Sequence, residues 1–150
     1  SGVKTPIMGP GFSFSQDVLP AIGDAALGVK ASGQWVKDLD NEANKKFVPA
    51  FQKEYGRLPS LYAVQAYDAA QLILSAASKA SVKDAKAFGE AMKAADIQSP
   101  RGKFKFNTNL HPIQDIYVTE VVKEDGVLTN KTVSKIFTDH GDAYAKDCKM

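Results

Sequence analysis

At 150 residues the chain is long enough for one domain with its own core and too short for two α/β lobes of ordinary size. An apolar share of 44% and a charged share of 24% are those of a water-soluble globular protein, which excludes disorder and a fibrous repeat. Lys and Arg outnumber Asp and Glu by 19 to 17 with the signs interleaved, so a net charge of +2 argues against nucleic acid, and the longest apolar run, Ala66 to Ala77, is interrupted by Asp68 and Gln71 and falls short of the roughly 18 residues that cross a bilayer.

The first residues, Ser1 to Pro6, lack an initiator Met, a basic start and an apolar signal core, and the chain is expected to begin as if cut from something longer. Thr5 to Gly11 predicts a short strand running into a turn, because Pro10 fixes φ while Gly9 and Gly11 allow close backbone approach. Ser15-Gln16-Asp17 predicts the cap of a short helical stretch through Leu19 and Ile22. The alternation Leu27, Val29, Ala31 then predicts a strand that Gly33 ends.

From Asp40 the period changes. Phe47, Phe51 and Tyr55 recur on one helical face, with Asp40 or Asn41 as cap and Gly56 at the C-terminus; Pro49 predicts a kink or a start near Val48. Ser60 to Ala80 is apolar nearly all round, which predicts a helix buried on every side. Ser81 and Asp84 open a further helix with Ala85, Phe88, Met92 and Ala95 inward. Phe104 and Phe106 alternating with Lys103 and Lys105 predict a half-buried strand. Asp115 to Val122 predicts another, turned by Lys123-Glu124-Asp125-Gly126 into Val127 and Leu128. A third short strand is expected near Val133 to Phe137, followed by a polar tail from Thr138 to Met150. The helices between Gln34 and Ser99 have no strand of their own to cover, so they need a sheet from elsewhere. Either the chain is a helical bundle with a terminal sheet, or it is one part of a doubly wound α/β protein.

Enzyme chemistry has little support. His111 and His140 stand at no metal-ligand spacing, so no metal and no cofactor is expected; no nucleophile elbow, phosphate loop or dinucleotide fingerprint occurs. The lone Cys148 is either an inert tail thiol or a bridge to a cysteine outside this sequence. Tyr62, Gln65 and Asp68, spaced by three at the start of the most apolar helix, make a polar and aromatic patch where helix N-terminal amides favour anions; the alternative is that Tyr62 fills core and Asp68 pairs internally. Trp35 is either a packing anchor or a cleft wall.

In order along the chain, Gly9-Pro10-Gly11-Phe12, Gly23 to Val29, Phe51 to Gly56, Tyr62 to Ala69, Ser99-Pro100-Arg101-Gly102 and Phe104-Lys105-Phe106 together resemble the class I periplasmic solute-binding proteins of ABC transporters, branched-chain amino acid type, from Thr5 to about Val122. The resemblance implies part of a type I two-lobe fold with three-layer α/β/α lobes. It assigns residues 1–32 to the C-terminal lobe, 33–112 to the N-terminal lobe and 113–150 to a return into the C-terminal lobe and tail, with hinges at Ser32-Gly33 and Pro112-Ile113. It implies a periplasmic or lipid-anchored protein that binds a small-molecule solute without turnover. Its other partners would be the missing N-terminal part and the membrane permease of an importer. Solute contacts carry over to Gly11, Phe12 and Ser13, to Tyr62 at the position of a cleft aromatic, and to Gln65 and Asp68. Branched-chain amino acid binders carry an acidic residue for the ammonium group in the turn where Gly11 stands, so an aromatic or aliphatic carboxylate joins the amino acid as a candidate solute. The rival expectations are a ligand-sensing receptor domain of the same fold, a small hydrolase using Asp68 or His111, and a stand-alone helical domain without ligand.

Overall fold

Three helices start where a short polar side chain takes up an orphan amide. In the computed structural model, which describes residues 4–148, Asn41 Oδ1 accepts from the N–H of Asn44 at 2.9 Å, Ser60 Oγ from that of Ala63 at 3.3 Å and Asp84 Oδ1 from that of Ala87 at 3.0 Å. These caps open α2 (Glu42–Tyr55), α3 (Leu61–Ala77) and α4 (Ala85–Lys93); a shorter α1 (Leu19–Ile22) precedes them. Gly56, at φ 66°, closes α2. Pro49 lies inside α2, and the helix starts at Glu42 rather than near Val48: one missing amide is tolerated where the Asn41 cap and the Phe47 face hold the preceding turn.

Ser15 does not cap α1. Its carbonyl receives the N–H groups of Val18 and Leu19, while its hydroxyl accepts from the N–H of Leu61, 46 residues away, at 3.3 Å. The strand expected from Leu27 begins only at Lys30, because Gly23–Ala26 wind into a 3-10 turn and Gly28 sits at φ 77°.

Among the described residues there are five strands: β1 (Met8–Pro10), β2 (Lys30–Gly33), β3 (Lys105–Phe106), β4 (Pro112–Glu124) and β5 (Val127–His140). β1 runs parallel to β2; β2, β3 and β5 each pair antiparallel with β4, β3 with its first two residues and β2 with Tyr117 to Glu120. Asp125 and Gly126, at φ 49° and 80°, form the tight turn between β4 and β5. β5 is a single 14-residue strand that takes in Thr138 to His140, where a short strand and a polar tail are expected from sequence; main-chain pairing to β4 sustains it although its second half is exposed. Of the tail, Lys149 and Met150 lie outside the described residues, as do Ser1 to Val3 at the start.

Among the described residues two apolar cores result. Trp35, Val36, Leu39, Phe47, Val64 and Tyr117 form one; Leu19, Ala26, Val29 and Val121 form the other. β4 supplies a residue to each, and Ser32-Gly33 lies between Val29 of one and Trp35 of the other. α3 is not buried all round: Leu61, Val64, Asp68 and Ala76 face inward, while Ile73 and Leu74 are 50% and 70% exposed. An open groove of about 530 Å³ between α2 and α3 shows Phe51, Tyr55 and Tyr67.

Asn44, missed in the sequence, joins the first core. It is 1% exposed, accepts from Trp35 Nε1 at 2.8 Å and donates to the carbonyls of Lys37 and Leu39 at 2.9 and 3.0 Å. Asn44→Leu keeps the branched outline and orphans all three groups, so a loss of about 3 kcal/mol is expected from urea unfolding of the full-length protein; a loss under about 1 kcal/mol would show that water replaces the amide.

Candidate functional site

Two glycines allow the loop after β1 to lie against the end of β2. A Cβ on Gly11 would stand 2.8 Å from the Ser32 carbonyl oxygen, and one on Gly33 would meet Leu61 Cδ1 at 3.4 Å and Gly11 Cα at 3.8 Å. The 3-10 turn Gly11–Phe14, the end of β2 and the first turn of α3 thereby converge on one cleft of about 310 Å³.

Of the residues singled out in the sequence, this cleft brings together Gly11, Phe12, Ser32, Gly33, Tyr62 and Gln65. Phe12 and Tyr62 are 55% and 48% exposed, large aromatic faces with little covering them. Pro10, Gln34, Leu61 and Ile116 complete the lining, and none of the lining residues carries a charge. Nothing in the local sequence signals Ile116: it enters from β4 between two register shifts in the pairing with β5, and such irregularities re-aim a side chain.

Ser13 is exposed outside this lining, and Pro112 and Ile113 pair with Phe106 and Lys105 at the start of β4. Asp68 is also elsewhere. Its side chain is 2% exposed, and Oδ2 accepts from Arg101 Nε and Ser99 Oγ, each at 2.7 Å. Arg101 continues to Gln114 Oε1 at 2.9 Å and lies over the Phe104 ring at 4.5 Å, tying α3, the Ser99–Gly102 turn and β4 together. The first turn of α3 is partly committed internally, with the N–H of Leu61 bonded to Ser15 and that of Ala63 to Ser60. Trp35 is 7% exposed and serves as a core anchor.

Beside Ile116, a polar cluster fastens β4 to β5. Burial pushes the Asp115 carboxyl up, but Lys135 Nζ at 2.6 Å, the N–H of Asp139 at 3.1 Å and the Tyr117 hydroxyl at 3.4 Å outweigh it and hold the group below the usual carboxylate value. Burial, then the Asp115 charge, pushes the Tyr117 phenol up. Among the described residues no group of three His, Cys, Asp or Glu could hold a metal, and no helix is long and apolar enough to cross a membrane.

A family model described as "Periplasmic binding protein" matches residues 1–126. Leu/Ile/Val-binding protein homolog 6 of Brucella abortus (strain 2308) is 33% identical over 97% of this chain and 38% of that protein. Among solved structures, an ABC-transporter solute-binding protein from R. palustris in complex with benzoate is 34% identical, with a TM-score of 0.86 over 97% of this chain and 39% of that one. A second, from Rhodopseudomonas palustris HaA2 in complex with p-hydroxybenzoic acid, is 30% identical, with a TM-score of 0.80 over 93% and 39%. The chain thus spans about two fifths of the length of the relatives it matches.

Proposed function

The chain belongs to the periplasmic binding protein family, and from that premise we propose that it forms one wall of the cleft of an ABC importer's solute-binding component, and that the solute is an aromatic carboxylate. The composition of the cleft carries this reading. Phe12 and Tyr62 offer two aromatic faces, Ser32, Gln34 and Gln65 offer neutral hydrogen-bonding groups, and Gly11 stands where the resemblance puts the acidic partner of an amino-acid ammonium. A flat, apolar ring fits those faces; an ammonium finds no counter-charge in this wall. The benzoate and p-hydroxybenzoic acid complexes of the two R. palustris relatives support the same choice.

We assign residues 1–32 and 113–150 to one lobe and 33–112 to the other; the two separate cores follow this division except at Tyr117, which packs in the core of the 33–112 lobe. Ser32-Gly33 and Pro112-Ile113 are the hinges. The rest of the relatives' length supplies the facing wall and the covering for the exposed side of α3. A solute gripped by both lobes favours closure only by the difference between its closed-state and open-state affinities, and the closed form then engages a membrane permease outside the cytoplasm.

Isothermal titration of the full-length protein tests the solute. Benzoate or 4-hydroxybenzoate is expected to bind at least about tenfold more tightly than leucine, a difference of ~1.4 kcal/mol. Binding of leucine with no heat from either aromatic acid would overturn it.

A further inference from the structure

Behind the cleft loop lies a second, much smaller cavity of about 30 Å³, which Ser15 and Gln16 line from the segment after that loop, and Thr119, Thr129 and Asn130 line from β4 and β5. Apolar side chains, Trp35, Val36 and Leu61 among them, share its lining with these polar groups, which are unevenly satisfied. Thr129 is 1% exposed, and its Oγ1 finds no hydrogen-bond partner among the described residues. A buried hydroxyl without a partner is costly enough that native proteins seldom keep one.

The neighbouring side chains keep part of their hydrogen-bonding capacity. Asn130 Nδ2 donates to the Phe14 carbonyl at 2.7 Å while its Oδ1 accepts from Thr119 Oγ1 at 3.3 Å and keeps one lone pair; Gln16 Nε2 donates to the Leu128 carbonyl at 2.8 Å and leaves its own carbonyl lone pairs. The Ser15 hydroxyl accepts from Leu61 N–H and keeps its own proton to give. Lys37, the charged residue in the lining, has its ammonium 2.7 Å from Glu124. The volume exceeds the roughly 10–15 Å³ one water needs and is too small for an organic ligand.

We infer that this cavity is a binding site for ordered water, one molecule of which is bonded to Thr129 Oγ1 and bridges β5 to the Ser15-Gln16 segment. The inference is independent of what the cleft binds. Its consequence is positional: Gly11, Gly33 and Leu61 line both this cavity and the cleft, so the water sits against the turn that also lines the cleft.

A high-resolution crystal structure of the full-length protein, paired with water oxygen-17 relaxation dispersion in solution, tests this. Ordered density about 3 Å from Thr129 Oγ1 is expected in the wild type and in Thr129→Ser. Thr129→Val should lose it, together with a slowly exchanging water in the relaxation profile. Wild-type density in which Thr129 Oγ1 bonds directly to a protein group, or in which no water lies within reach, overturns the inference even if the Val variant fails to fold. So does a Val variant that keeps the slow water.

Discussion

Replacing Arg101 by Met is expected to lower the unfolding free energy of the full-length protein by about 3–5 kcal/mol, the size of the loss when one partner of a buried ion pair is removed. The side chains of Asp68 and Arg101 are 2% and 9% exposed, so water cannot take over from the guanidinium. Asp68 has little in reserve: Oδ2 would keep only the Ser99 hydroxyl, and Oδ1 has no partner among the described residues. Arg101→Met also frees Gln114 on β4 and removes the cation from the Phe104 ring. The double variant Asp68→Leu/Arg101→Met, which takes both charges out, is expected to be more stable than Arg101→Met alone. Urea midpoints for the two variants decide the matter. An Arg101→Met loss under about 1 kcal/mol, or a double variant no better than the single, would show that the pair does not hold α3 to the Ser99–Gly102 turn and β4.

What was legible in the sequence was local. The cap at Asn41 closes over three residues and Asp125-Gly126 makes its turn within two, so each is written in its own segment; at α4, where the sequence offers Ser81 with Asp84, Asp84 is the cap and the Ser81 hydroxyl accepts from the N–H of Lys83 instead. The cleft residues Gly11, Phe12, Tyr62 and Gln65 were legible through resemblance, since their meeting depends on contacts that no local pattern carries. Asp68 was grouped with Tyr62 and Gln65 by its spacing of three, yet at about 100° per residue it lies about 120° around the helix from Tyr62, far enough to reach Arg101 instead of the cleft. Ser15 resembled a local cap and was drawn to Leu61 by the tertiary fold. Asn44 gave no signal, because its value lies in three partners that come together only when the loop from Trp35 to Leu39 folds back on α2. β5 was cut short for a related reason: its exposed half shows little alternation, and its pairing with β4 is a property of the partner strand. The apolar outer side of α3 had the opposite fault, a burial signal that the described residues leave unmet.

Gly11 sets the sharpest test of the cleft. No positive φ requires glycine there; the constraint is contact, with a Cβ placed 2.8 Å from the Ser32 carbonyl oxygen and 3.4 Å from Gly33 Cα. Both are backbone atoms at the end of β2, so neither swings aside as a side-chain tip would. Gly11→Ala must therefore push the Gly11–Phe14 turn away from β2 and carry Phe12 with it. With overpacking costing ~1–3 kcal/mol, an aromatic acid is expected to bind about tenfold or more weakly by isothermal titration. Gly33→Ala is the internal comparison: its closest contact is the side-chain carbon Leu61 Cδ1 at 3.4 Å, which can yield, and a smaller loss is expected. Gly11→Glu should lose the aromatic acid without gaining leucine, because a carboxylate attached at that Cα starts from the same collision before it can reach an ammonium. A Gly11→Ala protein that titrates like the wild type would mean that the turn is free to move and that the solute is held elsewhere. A Gly11→Glu protein that binds leucine would mean that this position selects the solute by charge alone, and that its close fit against β2 is incidental.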